Sequence, residues 1–200
     1  MSYYLSKKLN LDYKLLLLLS RLTMSDHTWS IITTAVPSLG LALVRLAPLM
    51  ISSASLMCAW DQQNAFRSFL APSILSKPQH MSANIVVDWF GEFAKPTKWV
   101  INLAYPLGLI FGLINALGDN GLQPPARALF AIGGLLSIFH FWFARWSMMW
   151  NARITKKENI GKANEDGLRG WLGNNGARMK WVNFPAWICF VLASAMLIPV

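Results

Sequence analysis

Four long apolar stretches constrain this chain more than any other feature of its sequence. They cover residues 29–59, 96–117, 125–150 and 181–200. Each reaches the length of about 20 mainly apolar residues that a helix needs to cross a hydrocarbon core about 30 Å thick. Backbone groups in lipid must be satisfied within the chain, and the strict alternation of a membrane barrel is absent from these stretches. The sequence therefore predicts an all-α fold, a membrane-embedded four-helix bundle.

Polar segments complete the predicted architecture. A long polar loop over residues 60–95 joins the first two helices, and a basic loop over residues 151–180 joins the last two. Residues 1–28 are expected to form an N-terminal tail or an interfacial amphipathic helix, followed by a four-span transmembrane domain over residues 29–200. Met1 and Met24 are the two alternatives for the native start of the chain.

The charge pattern indicates a membrane partner and excludes nucleic acid. Only 14% of the residues are charged and 54% are hydrophobic, whereas a soluble domain averages about 25% charged residues. Seven of the 18 lysines and arginines lie between Arg153 and Lys180, as expected for a loop that faces anionic lipid. The long loops hold ten of these residues against five on the other side, which favours a cytosolic location for the loops. The sequence therefore predicts a multi-pass integral membrane protein, located in the endoplasmic reticulum if the cell is eukaryotic.

Two arginines within the spans are candidate catalytic groups. A charge at membrane depth costs a few kcal/mol, so it normally faces a protein interior or a wet cavity. Arg45 lies near the middle of the first span, with Ser38 and Ser52 one heptad away on the same face. Arg145 lies near the end of the third span, where snorkelling to the interface is the alternative.

The third span places a histidine beside a row of tryptophans. From His140, helical steps lead to Ser147 and Asn151, and a neighbouring face carries Trp142 and Trp146. Such a helix presents a hydrogen-bonding edge next to an aromatic wall, which suits a flat polycyclic ligand. The alternative is that the polar residues bond to another helix while the tryptophans face lipid.

Further candidate residues come from the second span and the first loop. Asn102 and Tyr105 share a helical face, and Trp60 with Asp61 opens the polar loop. The candidates for catalysis are His140, Arg45 and Arg145. The candidates for substrate binding are Trp142, Trp146, Tyr105, Asn102, Asn151, Trp60 and Asp61.

Familiar signatures of metal and nucleotide sites are missing from the sequence. GxSxG, HExxH, P-loop and GxGxxG motifs do not occur. The three histidines are too scattered to suggest a metal cluster. The sequence therefore predicts no metal and no cofactor, with molecular oxygen as the co-substrate of any oxidation.

Three segments carry a resemblance to a known family. They read SASLMCAWDQQNAFRSFLAP, WSMMWNARITKK and GWLGNNGARMKWVNFPAWICFVLAS. Together they resemble the anthrone-oxygenase-like family of small four-helix membrane proteins. In that family the third helix ends near an asparagine followed by a long side chain, as at Asn151 and Arg153. A Trp, then an Asn or His, then an Arg introduce the last helix, as do Trp171, Asn175 and Arg178.

The resemblance implies an enzyme of fungal or bacterial specialised metabolism. Such an enzyme oxidises a phenolic polycycle, an anthrone, to a quinone with molecular oxygen and no dedicated redox cofactor. The chain departs from the family at Trp150, where a proline is common, and at its central Arg45. These departures leave the substrate open.

The corresponding mechanism is a hypothesis about three groups. A lipophilic phenol enters from the bilayer, His140 removes its proton, and Arg45 or Arg145 stabilises the oxyanion. One alternative is a cyclase or isomerase of a lipophilic intermediate. Another is a non-catalytic four-span scaffold that forms homo-oligomers or binds other pathway enzymes, with helix contacts at Gly108, Gly112, Gly133 and Gly134.

Overall fold

The computed structural model describes residues 26–76, 85–118, 121–156 and 162–198. The predicted N-terminal tail or interfacial helix covers residues 1–28, and residues 1–25 lie outside the described residues. Both candidate start sites, Met1 and Met24, therefore also lie outside them. The chain divides into two compact units, residues 1–43 and 44–200, and all packing described below belongs to the second unit.

The described residues form helices and no strand, which confirms the predicted all-α fold. The α-helices are α1 Asp26–Ser68, α2 Pro72–Leu75, α3 Ile85–Leu117, α4 Pro124–Phe139, α5 Ala144–Thr155, α6 Lys162–Arg178 and α7 Phe184–Ala195. A 3-10 turn, His140–Phe143, joins α4 to α5, and a π-helical segment, Met179–Asn183, joins α6 to α7. The described residues thus form four long helices, α1, α3, α4 with α5, and α6 with α7.

Three of these helices are long and apolar enough to cross a membrane. They are Leu39–Ser68, Val86–Leu117 and Pro124–Thr155, which correspond to the first three predicted spans. The predicted fourth span, residues 181–200, is not among them. A fourth crossing stays a prediction.

The loops are shorter than the sequence predicts. Helix α1 continues past the apolar stretch to Ser68, and α3 begins at Ile85. Most of the expected basic loop, from Lys162 onward, is helical in α6 and in the segment that follows it. This corrects the predicted loop boundaries. Hydropathy detects helices that face lipid, whereas α6 is polar and has no strongly amphipathic pattern.

An aromatic core holds α6 against the other helices. The Phe66 ring is fully buried and contacts the Trp171 ring edge-on, with 4.8 Å between the ring centroids. Phe90 and Leu168 complete this core, and both are about 1% exposed. Burial of each such side chain contributes about 1.5–3 kcal/mol, which explains why a polar segment folds as a helix here.

Helices α3 and α4 approach so closely that their backbones touch. A Cβ atom added to Gly112 would lie 2.8 Å from the Phe130 carbonyl oxygen and 3.0 Å from the Gly134 Cα atom. A Cβ atom on Gly133 would lie 2.7 Å from the Phe190 ring of α7. The predicted role of these glycines in helix association is therefore consistent with their positions.

Candidate active site

A cluster of buried polar side chains joins three of the four long helices. Tyr105 lies on α3, His140 in the 3-10 turn, Asn175 and Arg178 at the end of α6, and Asn183 at the end of the π-helical segment. Each of the five is at most 7% exposed. Buried polar groups cost free energy unless they are hydrogen-bonded, so their bonding partners define what the cluster can do.

The hydrogen bonds of His140 fix its protonation state. Its Nε2 atom lies 3.3 Å from Arg178 Nη1, and its Nδ1 atom lies 3.4 Å from Asn183 Oδ1. A guanidinium group can only donate, so Nε2 is the acceptor and Nδ1 carries the proton that is donated to Asn183. The imidazole is therefore neutral, with both ring nitrogens engaged.

The same chain of bonds reaches Tyr105. Asn183 Nδ2 donates to Tyr105 Oη at 3.2 Å, and the Tyr105 ring stacks on His140 with 3.5 Å between ring centroids. Two hollows of about 10 Å³ border Tyr105, one beside Asn183 and one beside Arg178. Each is about the size of one water molecule, so a substrate cannot enter here without opening the bundle.

A second chain of hydrogen bonds runs from Arg178 Nη2 to α1. Arg178 Nη2 donates to Asn175 Oδ1, and Asn175 Nδ2 donates to Gln63 Oε1 at 2.8 Å and to the Ala59 carbonyl oxygen at 3.1 Å. Gln63 thus uses its oxygen as an acceptor inside the protein. Its Nε2 amide group lies near Gly176, at the wall of a large groove.

This groove has a volume of about 700 Å³ and runs between α1 and the helix formed by α6 and α7. Its walls are mainly apolar, and we call it the α1 groove. It is lined by Ser53, Leu56, Met57, Trp60, Gln63, Arg67, Gly176, Met179, Lys180, Phe184 and Trp187. Trp187 Nε1 donates to Ser53 Oγ at 3.0 Å, which joins the two walls at one end. The volume is within the range of small-molecule sites, about 300–1,000 Å³.

The polar cluster lies where the α4–α5 helix and the α6–α7 helix lose regular α geometry. His140 begins the 3-10 turn, and Arg178 and Asn183 flank and end the π-helical segment. Such π segments within α-helices are often found at functional sites. The irregular geometry brings Arg178 and Asn183 to opposite nitrogens of one imidazole ring.

Arg178 carries its charge without a carboxylate partner. Among the described residues, the only salt bridge joins Lys95 to Glu92, far along α3 from this cluster. Arg178 Nε is buried and has no hydrogen-bond partner in the part of the chain that the structure describes. Within the same residues, no three His, Cys, Asp or Glu side chains come close enough to hold a metal ion. The expectation of an enzyme without metal or cofactor stays a prediction.

The structure brings some of the sequence-predicted site residues together and separates others. Tyr105 and His140 are stacked, and Trp60 lines the α1 groove. Arg45 lies at a different height along the bundle from Tyr105. The carbonyl oxygen of its neighbour Val44 accepts a hydrogen bond from Asn115. Asn115 is ten residues, or about 15 Å, along α3 from Tyr105. Neither Arg45 nor His140 lines the α1 groove.

The remaining predicted residues point away from the cluster or border other spaces. Trp142 is 69% exposed and Trp146 is 41% exposed, while Asn102 and Arg145 also face outward. Asp61 borders a separate cavity. Asn151 holds a buried side-chain oxygen with no hydrogen-bond partner in the described part of the chain. Their assignment to the site stays a prediction.

Sequence reasoning did not assign four residues of this site, namely Gln63, Asn175, Arg178 and Asn183. Two of them, Asn175 and Arg178, stand in the motif that carries the family resemblance, but the surrounding segment was expected to be a loop. Their spacing of three residues places them on one helical face. Reading this segment as a helix would have placed both residues on the same buried face as Leu168 and Trp171, because Asn175 follows Leu168 by seven positions and Arg178 follows Trp171 by seven.

Replacing Asn183 with leucine should destabilise the folded protein. The change removes the acceptor of the His140 Nδ1 proton and the donor to Tyr105 Oη. Each buried group left without a partner costs about 1–3 kcal/mol. We expect a lower melting temperature in neutral detergent, measured by circular dichroism. The matched variant Asn102→Leu changes an outward-facing asparagine and should leave the melting temperature unchanged; an equal effect of both variants would contradict the role of Asn183.

Several fungal proteins are similar in sequence to this chain over most of their length. The chain is 31% identical over 154 residues to the probable epoxidase scpX of Mollisia scopiformis, across 76% of this chain and 94% of that protein. It is 29% identical over 167 residues to the epoxidase gkaX of Penicillium citrinum, across 78% and 96% of the two chains. It is 26% identical over 161 residues to the oxaleimides biosynthesis cluster protein N of Penicillium oxalicum, across 78% and 90%. No family model and no solved structure matches the chain.

Proposed function

Because the chain belongs to the family of these small fungal epoxidases, we propose that it is an oxygenase that transfers one atom of dioxygen to a lipophilic, electron-rich intermediate. The family makes it a membrane-helix enzyme of fungal secondary metabolism. The observation that carries the proposal is the bond chain from buried Arg178 through Asn175 to Gln63 at the wall of the α1 groove.

The α1 groove suits a lipophilic substrate. Its apolar walls lie along a helix that is apolar enough to cross a membrane, so a substrate dissolved in the bilayer has a short path to it. Trp60 and Trp187 offer flat faces for an unsaturated or aromatic ring system. The tryptophan wall predicted at Trp142 and Trp146 is an alternative surface for the same ligand.

Gln63 supplies a hydrogen-bond donor to this groove. Its Oε1 atom accepts from Asn175, whose own oxygen accepts from the Arg178 guanidinium. Hydrogen bonds in such a chain polarise one another, so the buried positive charge strengthens the Gln63 Nε2 group as a donor. A donor held in a mainly apolar groove stabilises negative charge that develops on an oxygen during reaction.

Full reduction of the two oxygen atoms of one dioxygen molecule takes four electrons, and the substrate can supply all four. In an anthrone, the methylene group becomes a carbonyl: one oxygen atom stays on carbon, and the other leaves as water with the two methylene hydrogens. In a hydroquinone, one oxygen atom becomes the epoxide, the ring is oxidised to the quinone level, and the two hydroxyl hydrogens leave in water. Both reactions balance without a cofactor. An isolated alkene supplies only two electrons to its epoxide, so it needs two more from a reductant such as a reduced nicotinamide or flavin.

We propose roles that differ from those predicted by sequence alone. His140 has both ring nitrogens bonded, so we place it with Asn183 and Asn175 as a residue that positions Arg178. Its action as a general base, and oxyanion stabilisation by Arg45 or Arg145, stay predictions. Gln63 is the residue that we propose to contact the reacting oxygen.

Labelled oxygen tests the proposal directly. Purified protein in neutral detergent is incubated with anthrone or a naphthohydroquinone under dioxygen labelled with heavy oxygen, and the product is analysed by mass spectrometry. We expect one labelled oxygen atom in each product molecule, and a rate that falls about 100-fold in Gln63→Leu, as on loss of one oxyanion donor. The control Gln123→Leu changes an exposed residue before α4 and should keep the full rate.

The outcomes separate the proposed oxygenase from the alternatives. A product without label, formed equally under nitrogen, would indicate a cyclase or isomerase. Labelled product that forms only when a reduced nicotinamide or flavin is added would overturn the cofactor-independent step. No turnover of any substrate, together with a stable complex with pathway enzymes, would indicate a scaffold. An unchanged rate in Gln63→Leu would remove this residue from the mechanism.

A further inference from the structure

A second cavity adjoins the α1 groove and differs from it in charge. It has a volume of about 620 Å³ and lies at the end of α1, with Asn64, Arg67, Ser68 and Arg169 among its lining residues. Arg67 lines both this cavity and the α1 groove. The two spaces therefore meet at an arginine, one mainly apolar and the other basic.

From this arrangement we infer that the substrate is an amphiphilic anion, with its apolar body in the α1 groove and an acidic head group between Arg67 and Arg169. The inference rests on the proposed function, because it names the substrate class of the same groove. A carboxylic acid or a similarly acidic group fits the pair, since guanidinium groups bind such oxygens with two parallel hydrogen bonds.

The dimensions of the groove support a ligand with two distinct ends. Ser53 and Arg67 are 14 positions apart on α1, which corresponds to about 21 Å along the helix axis. The Ser53 end is joined to Trp187 and is apolar, whereas the Arg67 end lies next to Ser68, the last residue of the membrane-spanning stretch. The head group would thus lie at the membrane interface while the body stays at hydrocarbon depth.

The charges at this end are not neutralised within the described part of the protein. No carboxylate lies within salt-bridge distance of Arg67 or Arg169 there. Both guanidinium groups line the basic cavity, and an anion there would meet a complementary potential.

An anionic phospholipid shares this chemistry, so the test must distinguish it from a substrate. The probe is pyrene-labelled dodecanoic acid, and its methyl ester has the same apolar body without the charge. Binding to the protein in neutral detergent is followed by energy transfer from tryptophan to pyrene. Turnover is not measured, so the result is independent of whether the protein is an oxygenase.

We expect the acid to bind roughly tenfold more tightly than the ester, which corresponds to about 1.4 kcal/mol. Arg67→Gln should remove most of this difference and leave ester binding unchanged. Lys98→Gln, which removes an exposed charge on α3 that lines neither cavity, should change neither affinity. Equal binding of acid and ester, or an equal loss of both in Arg67→Gln, would overturn the inference.

A second experiment distinguishes a substrate head group from a lipid head group at Arg67. Acid binding is measured in nanodiscs of phosphatidylcholine and in nanodiscs that also contain phosphatidylserine. An unchanged affinity supports a substrate head group at Arg67. Displacement of the acid by phosphatidylserine, to the same extent in Lys98→Gln, would show that the basic end holds a lipid head group and would overturn the substrate assignment.

Discussion

Replacing Arg178 with methionine is expected to lower turnover sharply without lowering the stability of the fold. The side chain is buried, and no carboxylate of the described residues lies within salt-bridge distance of it, so the folded protein carries the cost of a desolvated charge. That cost is several kcal/mol. Removing the group leaves two acceptors, His140 Nε2 and Asn175 Oδ1, without a donor, at about 1–3 kcal/mol each.

These opposing contributions nearly cancel, so we expect a melting temperature equal to or above that of the wild-type protein. Activity should fall by up to about 100-fold, the effect expected for loss of Gln63 itself, because Gln63 loses the charge that polarises it. Melting is measured in neutral detergent by circular dichroism, and turnover is measured by the heavy-oxygen assay. A residue kept for function at a cost in stability behaves in this way.

The variant Arg178→Lys provides the matched control. Lysine keeps the charge, but its single ammonium group cannot reproduce the flat guanidinium that donates to both His140 and Asn175. We expect partial activity together with a lower melting temperature. If Arg178→Met instead unfolds the protein, or retains full activity, the buried arginine serves structure and the proposed mechanism fails.

The second large effect is expected at Gly112, where valine should prevent stable folding. Its Cβ atom would lie 2.8 Å from a backbone oxygen of α4, and backbone cannot move aside as a flexible side chain can. Forcing the two helices apart breaks the contact along α3 and α4, at about 3 kcal/mol, the upper end of typical overpacking costs. The measurement is the fraction of protein that elutes as a single species from size-exclusion chromatography, together with its melting temperature.

Gly91 offers a control in the same helix. A Cβ atom built on Gly91 meets nothing within 4 Å, so Gly91→Val should fold normally. Normal folding of Gly112→Val would contradict the close backbone contact of α3 with α4. Equal loss of folding in both variants would show that valine is harmful anywhere in α3, which would remove the packing explanation.

The helices that hydropathy detects were predictable, and the helix that long-range packing stabilises was not. Apolar stretches predicted the spans within α1, α3 and the α4–α5 helix, because lipid selects continuous apolar helices. Helix α6 was missed, because it contains Asn164, Glu165, Asp166 and Arg169 and owes its stability to the aromatic core around Phe66 and Trp171. That core joins residues more than 100 positions apart, so no local pattern reveals it.

The site was predictable in part. Tyr105 and His140 were identified because polar groups within an apolar span must find partners, and the structure stacks them. Their expected companion Arg45 lies at another level of the bundle, and the arginine that bonds to His140 is Arg178. A helical pattern gives the face of each residue but not the relative height of two helices.

Composition and the lengths of the apolar stretches were enough to predict the helical class and the three helices that are long and apolar enough to cross a membrane. They also predicted that polar residues within these helices need hydrogen-bond partners. Which polar residues meet could be seen only from the packed helices, because hydrogen-bond partners depend on the relative height and rotation of those helices. The 3-10 turn at His140 and the π-helical segment after Arg178 set that alignment, and with it the path from a buried charge to the groove.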